Sequence, residues 1–378
     1  MAEKSTVWWA SPDTDGGSPL QKLTKMIQRT GFLHNLAPGD DVAIKLHMSE
    51  VGNVRGLRPL WARSVADQVK QVAAQPFVTD TTTLYRHGRS TALGYLQTAA
   101  AHGFTAESMG CPVIIADGFH NSGTYIEGHT EHFQRVPVAQ AIFDARAMVA
   151  LAHCTFHPGF PLAGAIKNIG MGCTTKEAKI AMHQHESAPG YNAERCVGCW
   201  ICIGLCPGGA FTKGEGAVVF EESKCVGCGD CIGHCRGGAL QPKWDADNSK
   251  TQQWTCDAAK AALATFGAGK VLHAGIGMEI TQVCDCGATG IPAVCDTGVF
   301  VSFDPVALDR AMWDKLHEVA LYPGGALDRI ANSDEAAQFD LAHDRATPLW
   351  RHVGTQRFWE EIVPQSGLGN AEYELGTL

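Results

Sequence analysis

Fifteen cysteines are spread over the 378 residues, and eight fall into two runs of identical spacing, Cys196-x2-Cys199-x2-Cys202-x3-Cys206 and Cys225-x2-Cys228-x2-Cys231-x3-Cys235. The surrounding segments, CVGCWICIGLCPGGAF and CVGCGDCIGHCRGGAL, align without a gap and match at 11 of 16 positions. Two copies imply two equivalent sites. A cubane cluster needs four thiolates around a compact core. Three closely spaced cysteines on a turning loop can cap three irons, and the fourth, carried onto the next helical turn, reaches the other cluster. The spacing predicts two [4Fe-4S] clusters, one held by Cys196, Cys199, Cys202 and Cys235, the other by Cys225, Cys228, Cys231 and Cys206. Cys-x2-Cys is also a zinc spacing, but tetrahedral zinc leaves the third cysteine of each run poorly explained.

The double run resembles the bacterial two-cluster ferredoxins, and the resemblance implies electron transfer. Pro207 follows Cys206 as that pattern requires, whereas Arg236 follows Cys235. A cation beside one cluster favours its more reduced, more negative state, so the two clusters are expected to differ in potential.

A second concentration of reactive side chains lies upstream, in His153-Cys-Thr-Phe-His157 and in Gly164-Ala-Ile-Lys167-Asn168, followed by His183 and His185. It comes directly after an apolar run that reads as a strand, where α/β folds build their sites. Lys167, His183, His153 and His157 are candidate catalytic groups, able to supply a cation, an acid or a base. A lone histidine after a strand is also a common hydrogen-bonded structural group. Gly164 and Asn168, with Asp80 and Asp117 at the ends of two further strand candidates, are candidate cofactor-binding residues, though such carboxylates also cap helices and turns. Cys284, Cys286 and Cys295 form a third group, a candidate additional metal site that would want a further ligand such as His273 or Cys256. Cys-x-Cys equally suits buried packing.

The elements that must position these groups alternate along the chain. Apolar runs at Thr6 to Ala10, Asp41 to His47, Pro76 to Thr79, Val113 to Ala116 and Ala147 to Ala152 read as strands. Between them, Pro19 to Leu33, Leu60 to Ala74, Thr91 to His102 and Val136 to Asp144 carry apolar residues near 3.6 spacing and read as helices. This alternation predicts an α/β body with a parallel or mixed sheet. The Cys- and Gly-dense stretch interrupts the body as a small inserted α+β domain of ferredoxin-like type, giving body residues 1–190, an insertion over 191–243 and the second part of the body with the tail over 244–378. Helical patterning resumes at Thr251, strands are expected at Val271 to His273 and Val299 to Phe303, and Ser302-x-Asp304-Pro305 sets a capping residue before a proline at a helix start.

The body is similar to the family called domain of unknown function 362. The resemblance is carried by Thr79-Asp80-Thr81 with Leu84-Tyr85, Ala116-Asp117-Gly118, the stretch from Gly164 through Lys167 and Asn168 to Gly172-Cys173, Cys284-Asp285-Cys286, and Ser302-x-Asp304-Pro305. It implies an α/β body paired with a ferredoxin module. A fainter similarity, to the lactate racemase family, would carry Lys167 and His183 onto positions that hold a nickel-pincer nucleotide. The pattern departs at Ala163-Gly164, where two glycines belong, and at Met182, where an asparagine precedes the histidine.

A net charge of -9 with 18 % charged residues, and no Lys/Arg run that could track phosphates, argues against nucleic acid. No stretch of about 18 apolar residues predicts a membrane span, and no secretory leader is evident. With reduced cysteines, the expectation is a cytoplasmic protein. Two functions follow from the sequence. One is an iron-sulfur electron-transfer protein whose two clusters exchange electrons with a site in the α/β body or with a redox partner, a protein or a small-molecule donor or acceptor. The other is an iron-sulfur oxidoreductase or cofactor-maturation protein that acts at a second metal or organic cofactor around Lys167.

Overall fold

The computed structural model describes residues 4–84, 87–128, 130, 132–157, 159–183, 188–206, 208–225, 231–232, 235–241, 248–287, 289–325, 327–328 and 355–378, with the side chains of 248, 249 and 355 left aside. Cys228, Pro207, Tyr85 and His185 lie outside these residues.

Eight strands make one sheet: β1 (Ser5–Ala10), β2 (Asp41–Lys45), β3 (Gln75–Asp80), β4 (Val113–Ile115), β5 (Ala147–His153), β6 (Val271–Gly277), β7 (Gly298–Ser302) and β8 (Tyr373–Thr377). Their spatial order is β8-β1-β7-β6-β5-β2-β3-β4. β7 is antiparallel to both β1 and β6, and every other pairing is parallel, so β7 alone runs against the rest. The expected mixed, mostly parallel sheet is what forms.

Helices cover both faces, which is why the central strands are apolar without interruption. All seven residues of β5 are buried. Val149 and Leu151 join Val42, Ile44, Leu272 and Ala274 under α1 (Pro19–Arg29), α2 (Pro59–Gln71) and α3 (Ala92–Ala101). Met148 and Ala150 point the other way, toward α4 (Ala165–Gly170), α5 (Lys176–His183) and α6 (Asn248–Leu263). Local chemistry starts these helices where the sequence marks them. Ser18 and Gln21 close a capping box before Pro19, and Asp304 accepts from the Val306 and Ala307 N–H groups at 2.8 and 3.1 Å to open α7 (Pro305–Glu318).

One expectation needs correction. The Val136 to Asp144 stretch is half strand: Arg135–Ala139 pairs with Gly123–Glu127, and only Gln140–Asp144 is helical. An apolar run this short fits both periods. The polar tail supplies β8, which adds to the sheet edge beside β1.

The Cys-rich segment is set off by its own ends, since Gly190–Tyr191 pairs antiparallel with Leu240–Gln241. Inside lie a helix at Ile201–Leu205 and a hairpin of Phe211–Lys213 with Val218–Phe220. No helix of the described residues is long and apolar enough to cross a membrane.

Candidate functional site

Chain order fixes where a cleft opens. From β2 the chain moves through β3 to β4 in one direction across the sheet, whereas β5 leads to β6 in the other. Adjacent β2 and β5 are therefore the switch point, and open α/β sheets leave a crevice beyond the carboxyl ends of such strands. A cavity lies there, walled by Lys45 from β2, Asp80 from β3, His153 from β5 and the Cys284-Asp285-Cys286 turn after β6. Lys167, Asn168, Gly164 and His183 line it as well.

The turn is held by His153. Its Nδ1 lies 2.9 Å from Asp285 Oδ1 and its Nε2 2.8 Å from the Met278 carbonyl oxygen. Both partners only accept, so both ring nitrogens carry protons and the ring is an imidazolium. Burial opposes that charge, but the Asp285 carboxylate and the Met278 carbonyl raise its pKa. His153 therefore has no lone pair for a metal or for base catalysis, and its role is to position the turn. Asn53 adds a bond from Nδ2 to the Asp285 carbonyl at 3.2 Å.

The turn closes with the Gly287 N–H on the Cys284 carbonyl at 3.4 Å, which brings the sulfurs two residues apart into hydrogen-bond contact. The pair keeps one proton. The hydrogen bond holds Cys284 as the thiol and Cys286 well below the usual thiol range; burial opposes the Cys286 charge, while Arg89, Lys167 and His47 support it. His47 Nδ1 accepts from the Ser49 N–H at 3.1 Å, so its proton sits on Nε2, 3.5 Å from Cys286 Sγ.

Lys167, in α4, is half-buried with its free face on the cavity, and its ammonium has no hydrogen bond or ion pair among the described residues. Burial opposes its charge, but the Cys284–Cys286 pair holds its pKa above the ordinary value. Asn168 is tied down by Lys45 Nζ on Oδ1 at 2.5 Å and by its own Nδ2 on the Leu151 carbonyl at 3.1 Å. Lys45 also pairs with Asp80 at 3.0 Å, and Tyr95 donates to the same carboxylate. Gly164 is explained by Asp309, which accepts from the Ala165 and Ile166 N–H groups at the start of α4. A Cβ on Gly164 would lie 2.2 Å from Asp309 Oδ1. Burial pushes that carboxyl up to about 7. His183 donates from Nδ1 to the Lys179 carbonyl at 2.6 Å, and burial brings its pKa down to about 4, so the ring is neutral.

Several sequence candidates stand outside the cavity wall. His157 turns to its own hairpin, where its Nδ1 accepts from the Gly159 N–H at 2.9 Å. Asp117 is fully buried and accepts from the Thr82 N–H at 2.9 Å and from the Thr82 hydroxyl, which fixes the Thr81–Thr83 strip bordering the cavity. Cys295 does not join Cys284 and Cys286. His273 faces a different groove beside Phe303, and Cys256 is buried near Asp257 and Asp309. Sequence reasoning missed Lys45, His47, Arg89 and Lys179. Arg89 is 2 % exposed, its Nε bonds Glu50 at 3.0 Å, and its Nη2 has no partner among the described residues. Lys179 gives its three protons to Thr81 Oγ1 and to the Thr82 and Thr174 carbonyls at 2.7 to 2.8 Å, and burial lowers its pKa to about 8. Lys45 and His47 could have been suspected as a Lys-x-His pair at a strand end.

In the Cys-rich segment Cys196, Cys199, Cys202 and Cys235 line one small cavity. Three come from the first repeat and one from the second. The repeats share their backbone contacts: Ala210 N–H donates to Cys206 Sγ at 3.3 Å, and Ala239 N–H to Cys235 Sγ at 3.2 Å. Gly209 and Gly238, with φ of 62° and 67°, make the left-handed turn before each donor. Burial and then the neighbouring thiols Cys199, Cys235 and Cys196 push Cys202 up to about 11. Cys206 and Cys225 are half-buried, Cys231 is buried, and Arg236 is exposed. Leu84 of the large cavity and Ile180 of α5 share an apolar cluster with Cys202, Cys231 and Ile232. Among the described residues, no three His, Cys, Asp or Glu side chains gather closely enough to hold a single metal ion.

No curated protein sequence matches the chain. Two solved structures are similar to it. A crystal structure of a Thermotoga maritima protein has 9 % identity and a TM-score of 0.41, over 82 % of this chain and 59 % of that one. The lactate racemase apoprotein from Thermoanaerobacterium thermosaccharolyticum has 12 % identity and a TM-score of 0.33, over 73 % of this chain and 51 % of that one. This chain therefore spans little more than half the length of either. The family pattern described as Domain of unknown function (DUF362) covers residues 42–314, from β2 to α7, and the chain belongs to that family.

Proposed function

We propose that the protein is an electron carrier in which Cys196, Cys199, Cys202 and Cys235 hold one [4Fe-4S] cluster and Cys225, Cys228, Cys231 and Cys206 a second. The observation that carries this reading is that four thiols, three from the first repeat and one from the second, line one pocket. A cubane wants four sulfurs spread around a volume, whereas a single ion wants them drawn to a point. When bound, each cluster supplies one-electron transfers. The Ala210 and Ala239 N–H groups would offset thiolate charge, and Tyr191, whose hydroxyl donates to the Val218 carbonyl at 2.6 Å, covers one side of the cavity.

A carrier alone has no need of a cavity lined by a low-pKa thiol and a lysine that has no partner among the described residues. The alternative, an oxidoreductase or a metal- or cofactor-maturation protein, uses the same cysteine module to feed chemistry at that cavity. The test is anaerobic purification followed by iron, sulfide and zinc analysis. About eight irons per chain with matching sulfide supports the reading. Stoichiometric zinc in place of iron overturns it.

A further inference from the structure

We propose that Cys284 and Cys286 are a redox-active dithiol, the two-electron terminus of this protein, opening and closing as a disulfide in the large cavity. The proposal deepens the electron-carrier reading, which supplies the source of its electrons.

Four features of the site carry it. Cys284 and Cys286 occupy the first and third positions of a closed turn and both line the same cavity, so bridging needs no movement of a second chain segment. The turn is clamped by the buried His153–Asp285 ion pair and by Asn53, so it can keep its place whether open or closed. Both sulfurs line a cavity that admits a ligand, unlike Cys154, Cys173 and Cys256, which are buried. The Cys286 sulfur faces the Arg89 and Lys167 cations and the Nε2–H of His47, a setting that favours thiolate over thiol.

The chemistry balances. Reduction breaks the S–S bond, takes up two electrons and one proton, and leaves Cys284 as the thiol and Cys286 as the thiolate. The electrons arrive singly, one from each cluster. After the first, the pair carries one added negative charge, and the Lys167 ammonium and the Arg89 guanidinium are the cations placed to offset it. Leu84 and Ile180 join the walls of the two sites, so the electron path runs through packed side chains. Oxidation by a disulfide or other two-electron acceptor in the cavity returns both electrons and the proton.

The experiment treats the anaerobic holoprotein with diamide, alkylates it and maps its peptides. A peptide containing both Cys284 and Cys286, lighter by two hydrogens and unalkylated, is expected. Its absence overturns the dithiol, whatever the iron content. The oxidised protein is then reduced with photoreduced flavin, and the return of alkylatable thiols is timed in wild type and in Cys199→Ala. At least a tenfold slowing in the variant is expected, and equal rates overturn the coupling to the clusters. Iron analysis of the same samples tests the electron-carrier reading by itself. Lys167→Met, which leaves no buried group unpaired, should slow reduction at least fivefold and move alkylation of Cys286 to higher pH. An unchanged pH profile would show that the lysine does not act on the sulfur.

Discussion

His153 Nδ1 lies 2.9 Å from Asp285 Oδ1 in a place where both side chains are almost fully buried, so the end of β5 is bound to the Cys-Asp-Cys turn by a charged pair that water does not screen. Removing one partner of such a pair strands the other. His153→Leu should destabilise the fold by about 3–5 kcal/mol in chemical denaturation. Because the folded pKa of His153 is raised, its contribution is complete below about pH 6.5 and is lost as the pH climbs through the folded value. The double variant with Asp285→Leu should lose less than the sum of the two single changes. A strictly additive result would show that the pair is not coupled.

Cys235 stands in the second repeat but lines the cavity of the first. Cys235→Ala and Cys196→Ala should therefore remove the same cluster and give matching changes in the reduced-state spin-resonance spectrum, each leaving about four irons. Cys225→Ala should give a different residual spectrum. If Cys235→Ala matches Cys225→Ala instead, the sharing of ligands between repeats is wrong.

His183 stays neutral in the fold down to about pH 4, whereas an unfolded histidine takes up its proton near 6.5. Between those values the unfolded chain binds the extra proton, so stability falls as the pH drops through this window, by up to about 3 kcal/mol, and is indifferent to His183 above it. His183→Asn should lose that slope. Denaturation midpoints for both proteins between pH 4 and 7 provide the check, read as the difference between them.

Gly164→Ala places a methyl group 2.2 Å from the Asp309 carboxylate that caps α4. The clash should cost about 1–3 kcal/mol and shift Lys167, three residues on in α4. Melting temperature reports the first effect, and the alkylation rate of Cys286 reports the second. An unchanged melting temperature would mean that α4 can slide without cost.

The body was largely legible because its central strands are buried on both faces and read as unbroken apolar runs, from Asp41, Gln75, Ala147 and Val271 onward. Arg135–Ala139 was not, because an apolar run of that length fits a helix equally well, and Tyr373–Thr377 was not, because an edge strand exposes most of its side chains. The cysteine spacing declared itself through its repeat. Lys167, His183 and the Cys284–Cys286 turn drew attention as reactive types near strand ends. Lys45, Arg89 and Lys179 did not, since each is a single cation that only the strand order carries to the cavity. Nor could spacing reveal that His153 spends both ring nitrogens on its neighbours.

The pairing of β5 with β6 sets an order on how the molecule is made. Met148 lies against Val271 and His153 against Ile276, and the whole cysteine segment is synthesised between these partners. The centre of the sheet cannot close until that segment has left the ribosome, and Cys235, needed for the first cavity, is the last of the eight cysteines to emerge. Until then the nascent chain holds the β5 edge uncovered, so the length of the segment between the two partners sets how long that edge stays open to wrong pairings.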